Sequence, residues 1–399
     1  MVRKPLVAAT AAVLPIALLL ALMEAFLRLQ PSVISVAFLS SFPPSLAAEI
    51  AGRLGLDTSS NYRRITTEMR GDGGREYLVN RPNSRHLRPA DAVDLAYGIS
   101  EIIETDDLGY CNPRGRPPGA PVDVLVLSGS IPGCIGVAAD QTVSAELGRA
   151  LGRNVYNMSI GGVGPAEYLD VLRRDGVAVE PKTVLMIISE NDLRDMIIHN
   201  NARQGKYKNN KKRDLDNSVF AYSYLLSFLR SGFKSLKRAF KAAGEPEFRY
   251  RVQTMDGPVA LNVLNNDTDE LGIARTLAAG EITLSLFRPP LEEFVALSKQ
   301  HGFRPLVTVA PSAYSAYLNS IEFSDPAVAD VMKSFGETGR KWLADMASVI
   351  GYDFVDAIPA IQNAAAGEKL LYFPANVHLT PDGNRVLASA LAPLIAPLL

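Results

Sequence analysis

From residue 122 onward, short apolar runs take turns with stretches in which apolar positions recur every three or four residues. The runs at 122–127, 155–158, 184–188, 305–309 and 352–355 predict strands; the stretches at 142–151, 166–174, 291–301, 328–350 and 381–394 predict helices. This alternation predicts an α/β fold, a doubly wound (flavodoxin-like) sheet of five parallel strands. Ligands of such sheets sit at the carboxyl ends of the strands, so chemistry is sought in the loops that begin at Ser128, Ser159 and Ser189.

Ahead of this domain (120–399), residues 62–119 carry alternating pieces such as REYLVNR and AYGISEIIETDDLGY between turn signals such as Gly71-Asp72-Gly73-Gly74. They predict a small β-rich segment that serves packing, not catalysis. Residues 31–61, with Pro43-Pro44 and Gly52, read as a stalk with one short helix. Between the third and fourth strands lies an insertion at about 195–285, too long for a simple connection, in which 248–264 predicts a β-hairpin turning at Asp256-Gly257.

The N-terminus is of another kind. Residues 5–23 are nineteen positions without a charge, enough to span about 30 Å of hydrocarbon. Arg3 and Lys4 precede the run, and it continues into Glu24-Ala25-Phe26-Leu27-Arg28 with no small-x-small cleavage site. Residues 1–30 are therefore expected to form an uncleaved, single-pass signal anchor with the rest of the chain extracytoplasmic, periplasmic or at the cell surface. A cleaved signal peptide and a buried N-terminal helix are the alternatives.

The 399 residues include 41 Lys+Arg against 42 Asp+Glu, so no global basic field favours a nucleic-acid partner. Two cysteines and four scattered histidines lack the spacing of a zinc module, and neither a P-loop nor a dinucleotide fingerprint is present, so no metal or cofactor is expected. Charge is local instead: residues 203–241 hold eleven Lys and Arg against two Asp. Within them SYLLSFLRSGFKSLKRAFKAA places Leu226, Leu229, Phe233, Leu236 and Phe240 on one helical face with cations opposite. Such a helix either packs its apolar stripe on the sheet or lies at a membrane interface.

The first strand runs into Ser128-Gly129-Ser130, and a serine at a sharp strand-to-helix turn stands above the sheet close to backbone N–H groups that stabilise an oxyanion. Ser128, on the strand side, is a weaker candidate nucleophile. The second strand ends in Asn157-Met158-Ser159-Ile160-Gly161-Gly162-Val163-Gly164 and the third in Ser189-Glu190-Asn191-Asp192; before the last helix comes Tyr372-Phe373-Pro374-Ala375-Asn376-Val377-His378. These four segments, in this order, resemble the signature blocks of SGNH (GDSL-type) hydrolases over residues 120–399. Glu104-Thr105-Asp106-Asp107-Leu108-Gly109-Tyr110 is similar to a segment that precedes the first block in membrane-anchored members.

The resemblance implies Ser130 as nucleophile and His378 as general base, with an oxyanion hole made by the N–H groups of Ser130 and Gly162 and the Asn191 side chain. A hydroxyl becomes nucleophilic when an imidazole takes its proton, and donors must aim at the tetrahedral oxyanion. Asn191 could instead cap the following helix, and the glycines could serve only their turn. Two blocks depart from the family: the usual first-block aspartate is Gly129, and the positions of the triad acid are Ala375 and Asn376. Asn376 can accept a hydrogen bond from the imidazole but brings no charge, and an amide can present either end to the ring. Asp356 and Asp382 are the nearest acids in sequence.

Three functions fit the resemblance: an esterase cleaving an acyl ester of a glycan or a lipid-like substrate, an O-acyltransferase acting on exopolysaccharide, and a weakened relative that binds glycan or assembles a complex. Cys111 and Cys134 flank the first strand and, outside the cytoplasm, form a candidate disulfide; two buried thiols are the alternative.

Overall fold

The computed structural model describes residues 3–34, 36–39, 42–55, 67–71, 75–87, 91–100, 102–113, 115, 120–206, 218–244, 247–265 and 268–399, with 3–13 and a few others described by their backbone alone. The turn at 72–74 and the cations of 207–217 lie outside the described residues.

Among the described residues the N-terminal layer holds four short strands. β1 (Thr67–Arg70) pairs antiparallel with β2 (Tyr77–Asn80), and β3 (Arg85–Leu87) with β4 (Ile102–Glu104), with the helix Ala92–Ala96 between β3 and β4. The main sheet contains β5 (Val124–Ser128), β6 (Val155–Asn157), β7 (Thr183–Ser189), β10 (Arg304–Ala310) and β12 (Asp353–Val355). Every pairing within it is parallel, and its order is β12-β10-β7-β5-β6. Counted along the chain this is 2-1-3-4-5, the flavodoxin-like order that the alternation predicts.

Burial explains the order. All residues of β5 (VLVLS) and β7 (TVLMIIS) are buried, as continuous apolar strands must be when helices cover both faces. The helices Val143–Leu151 and Pro381–Ile395 pack together in one layer; Pro165–Val171, Arg288–His301 and Pro326–Ile350 form the other, as right-handed crossovers require. In the insertion, β8 (Tyr250–Thr254) and β9 (Gly257–Leu261) form the expected hairpin, and β11 (Ile321–Phe323) joins it from beyond β10.

Residues 31–54 are not a bare stalk. Ile34, Leu39, Phe42, Leu46, Ala47, Ile50 and Ala51 form a second core with Leu27, Tyr224 and Leu225. The N-terminal helix (Arg3–Leu29) meets the start of the amphipathic helix (Tyr224–Gly244) there. Glu24 accepts hydrogen bonds from the Tyr224 and Leu225 N–H groups at 3.2 and 2.8 Å and from Ser223 Oγ at 2.9 Å, so it caps a helix two hundred residues away. Among the described residues no helix is long and apolar enough to cross a membrane. The first part of the apolar run, residues 5–13, has no described side chains.

The amphipathic helix does not pack its apolar stripe on the sheet. Tyr224, Leu225, Ser227 and Ser231 are buried, whereas Phe233 and Phe240 are each 70% exposed and Leu226, Leu229 and Leu236 are also exposed.

Among the described residues of 96–110 only Ile102–Glu104 is strand, and the stretch that follows it is organised by Asp106. Its carboxylate accepts from the Leu108 and Tyr110 N–H groups, from Asn112 Nδ2 and from Tyr156 Oη. Asn112 also exchanges two bonds with the Asn157 backbone, at 2.8 and 2.9 Å, and so covers part of the β6 edge. This places Cys111 beside Cys134, to which it is disulfide-bonded with Cα atoms 6.0 Å apart. The bond closes a loop of 23 residues. In the chain-entropy model its loss costs roughly 3 kcal/mol. A denaturant midpoint unchanged by Cys111→Ser would refute that contribution.

Candidate active site

Each of the three strand-end loops is fixed by its neighbour. Ser130 lies two residues beyond β5, partly exposed, and turns back through the Gly133 N–H, which donates to its carbonyl. The Ile160 N–H donates to the Ser128 carbonyl at 2.9 Å, tying the second loop to the first. A Cβ built on Gly161 would stand 3.5 Å from the Ser130 Cβ, so that loop runs directly against the candidate nucleophile. Gly162 has φ +77°, a left-handed conformation that L side chains rarely adopt, with open space where a Cβ would be.

The third loop is closed by Asp192, whose carboxylate accepts from the Ser189 N–H at 3.0 Å and from Tyr168 Oη at 2.7 Å. Burial, and then the nearby Asp195 carboxylate, push Asp192 well above the usual carboxylate range. Asn191 occupies the N-cap position of the helix Asp192–Arg203 but makes no capping bond with its side chain. The capping alternative is thereby set aside.

The Tyr168–Asp192 pair also accounts for Gly129. A Cβ there would lie 2.7 Å from Tyr168 Oη and 3.2 Å from Asp192 Oδ1, so this pair fills the space a side chain at position 129 would need. Ser128 is fully buried and shares a short hydrogen bond with Ser159 Oγ, which removes it as a nucleophile.

His378 sits in a tight turn before the helix Pro381–Ile395. The Phe373 N–H donates to the His378 carbonyl at 2.8 Å, and Val377 takes φ +54°, strained for a β-branched residue. Phe373 packs on Ile99 and Val137, which sets the histidine turn beside the loop that leaves Ser130. Asn376 Oδ1 accepts from the His378 N–H at 2.9 Å, which orients the amide with its oxygen toward the ring. His378 Nδ1 then meets two oxygens of Asn376, the backbone carbonyl at 3.0 Å and Oδ1 at 3.2 Å. Both are acceptors, so Nδ1 carries the proton and Nε2 keeps its lone pair, the tautomer a general base needs. Asp356 is held by Arg340 and caps Ile358, and Asp382 pairs with Arg385, so both nearby acids are engaged elsewhere.

Two residues of the N-terminal layer reach this region, although the sequence reads that layer as packing. An Arg75 Nη2 donates to the Gly162 carbonyl at 2.8 Å while Nη1 lies 3.4 Å from Asp195 Oδ1. Asp94, fully buried, accepts from the Ala375 N–H at 2.7 Å. Neither carries a local motif, and their partners lie 87 and 281 residues away. Among the described residues no group of three or more His, Cys, Asp or Glu side chains is placed to hold a metal ion.

No protein-family model matches the chain. No curated protein matches it either. Among solved structures, similarity is found to a protein assigned to the G-D-S-L lipolytic family from Desulfitobacterium hafniense, at 10% identity over 68% of this chain and 99% of that one, with a TM-score of 0.36. A lipase/acylhydrolase from Enterococcus faecalis matches at 11% identity over 69% of this chain and 97% of its own, TM-score 0.34. An acetyl xylan esterase matches at 12% over 67% and 96%, TM-score 0.33.

Restoring the family's first-block acid is expected to harm the protein. Gly129→Asp should lower stability by about 3 kcal/mol through overpacking against a buried, bonded pair, with no gain in activity. Urea denaturation of the variant tests this, and an unchanged midpoint would refute the steric account.

Proposed function

We propose that the chain is an SGNH-type hydrolase that cleaves an acyl ester through Ser130 and His378. The observation that supports this reading is the histidine turn: Asn376 supplies two oxygens to Nδ1, which makes Nε2 the basic nitrogen, and Phe373 of the same turn packs on Val137 of the loop that follows Ser130. In this mechanism Ser130 Oγ attacks the acyl carbon as its proton passes to Nε2. The oxyanion is received by the N–H groups of Ser130 and Gly162 and by the Asn191 amide. Collapse expels the alcohol, which takes the proton from the imidazolium, and water releases the acyl group by the reverse route. The acceptor could equally be a sugar hydroxyl, which would make the reaction a transfer. Gly162, with its left-handed backbone and open space where a Cβ would be, is the proposed second donor.

The proposal extends to place. The apolar N-terminal run, the exposed stripe of the amphipathic helix and the disulfide support an anchored protein whose catalytic domain lies outside the cytoplasm beside an anionic membrane surface. The substrate classes proposed are an acylated glycan and a lipid-like ester.

The full chain in detergent micelles should hydrolyse 4-nitrophenyl acetate, and Ser130→Ala and His378→Ala should each lower kcat by about 10³-fold or more. Asn376→Asp should raise kcat by about tenfold, since an amide in place of a triad acid can lose about 10⁴-fold. An inert parent chain that also fails to react with a serine-directed fluorophosphonate would sink the enzyme reading. For the membrane, Phe233→Ser with Phe240→Ser should weaken flotation with phosphatidylglycerol vesicles by about tenfold or more, each ring being worth roughly 2 kcal/mol when buried. Equal flotation of variant and parent would count against an interfacial helix.

A further inference from the structure

Resting on the hydrolase reading, we propose that Asp94 is a positioning residue for the general base. It is an acid lent by the N-terminal layer that holds the 375–378 turn and brings to it the negative charge that Asn376 lacks. The chain of contacts is short. Asp94 Oδ1 takes the Ala375 N–H at 2.7 Å, and the next residue, Asn376, turns both its oxygens to His378 Nδ1. The carboxylate is fully buried in the helix Ala92–Ala96, and Ile99, a few residues on, packs with Val137 and Phe373 on the same turn. Layer and turn therefore form one packed unit.

A carboxylate buried to this degree at the backbone of a two-oxygen histidine turn has an electrostatic consequence. Its charge favours the imidazolium that forms when Ser130 gives up its proton, without contact with the ring. Burial raises Asp94 to about 6, against the lowering pull of the Ala375 and Asn376 N–H groups. Asp91, on the same element, is the charged neighbour that acts on it. The 370–380 segment opposite carries Tyr372 and His378 as its titratable side chains, and the 131–137 loop has only the disulfide-bonded Cys134. Asp94 is thus ionised above about pH 6, where a neutral imidazole is also needed.

The test compares the full chain with Asp94→Asn, Asp94→Glu and Asp94→Asn/Asn376→Asp, using 4-nitrophenyl acetate kinetics, thermal melting and an NMR titration of the His378 ring. Asp94→Asn should lower kcat about tenfold with KM within about twofold of the parent. Its melting temperature should hold or rise above pH 6, because an acid whose pKa is raised by folding opposes folding when ionised. The His378 ring should titrate at lower pH than in the parent, Asp94→Glu should recover part of kcat, and Asn376→Asp should restore it in the double variant. A kcat loss matched by a fall in melting temperature, with the His378 midpoint unmoved, would overturn the proposal in favour of a packing role. An unmoved midpoint overturns it whether or not the ester is cleaved, whereas an inert parent with a shifted midpoint would sink only the hydrolase reading.

Discussion

Parallel pairing of β5 with β6 on one side and β7 on the other is the constraint from which the site follows. Because all three strands run the same way and in close register, from Val124 beside both Val155 and Thr183, their loops must leave at one edge. The loops that carry Ser130, Gly162 and Asn191 are gathered at that edge by topology, across about sixty residues of sequence. Fully buried apolar strands make that register hard to change, since helices cover both faces and no face can be turned to water.

A second tier of polar contacts sits behind the loops. Arg75 grips the carbonyl of Gly162 and lies beside Asp195; Tyr168 and Asp192 brace the third loop; His199 shares a 2.8 Å contact with Glu167, whose other oxygen accepts the Gly164 N–H at 3.1 Å. Burial lifts Asp192 and Asp195 above the ordinary carboxylate range, with Arg194 and Arg75 pulling Asp195 back. Such a connected network holds its members in one geometry, because leaving any of them unpartnered in a low dielectric is costly. In the same network Tyr168 and Asp192 fill the space that a side chain at position 129 would need.

The sheet was legible because its strands are short apolar runs bounded by turns, a signal contained in each segment. Ser130, Gly162, Asn191 and His378 stand out as candidates for the same reason, each lying in a local motif at a strand or helix end. Arg75 and Asp94 were not, since an arginine or aspartate in a polar segment looks like any surface charge until the chain returns to it. The second core is not visible in the sequence for a related reason: residues 31–54 alternate too briefly to show periodicity, and the core is completed by Tyr224 and Leu225 from a distant part of the chain. Periodicity shows the amphipathic stripe as a stripe but does not say whether it faces protein or solvent.

The cap that Glu24 places on the helix Tyr224–Gly244 changes where the N-terminal segment can be said to end. Hydropathy puts the natural cut near residue 30, and a soluble fragment would be trimmed there. That trim would remove Glu24 with its four hydrogen bonds, the Arg28 side chain stacked 4.9 Å over Tyr224, and Leu27 from the second core. The segment that looks like a disposable leader is, in its last turn and a half, a keystone of the folded part.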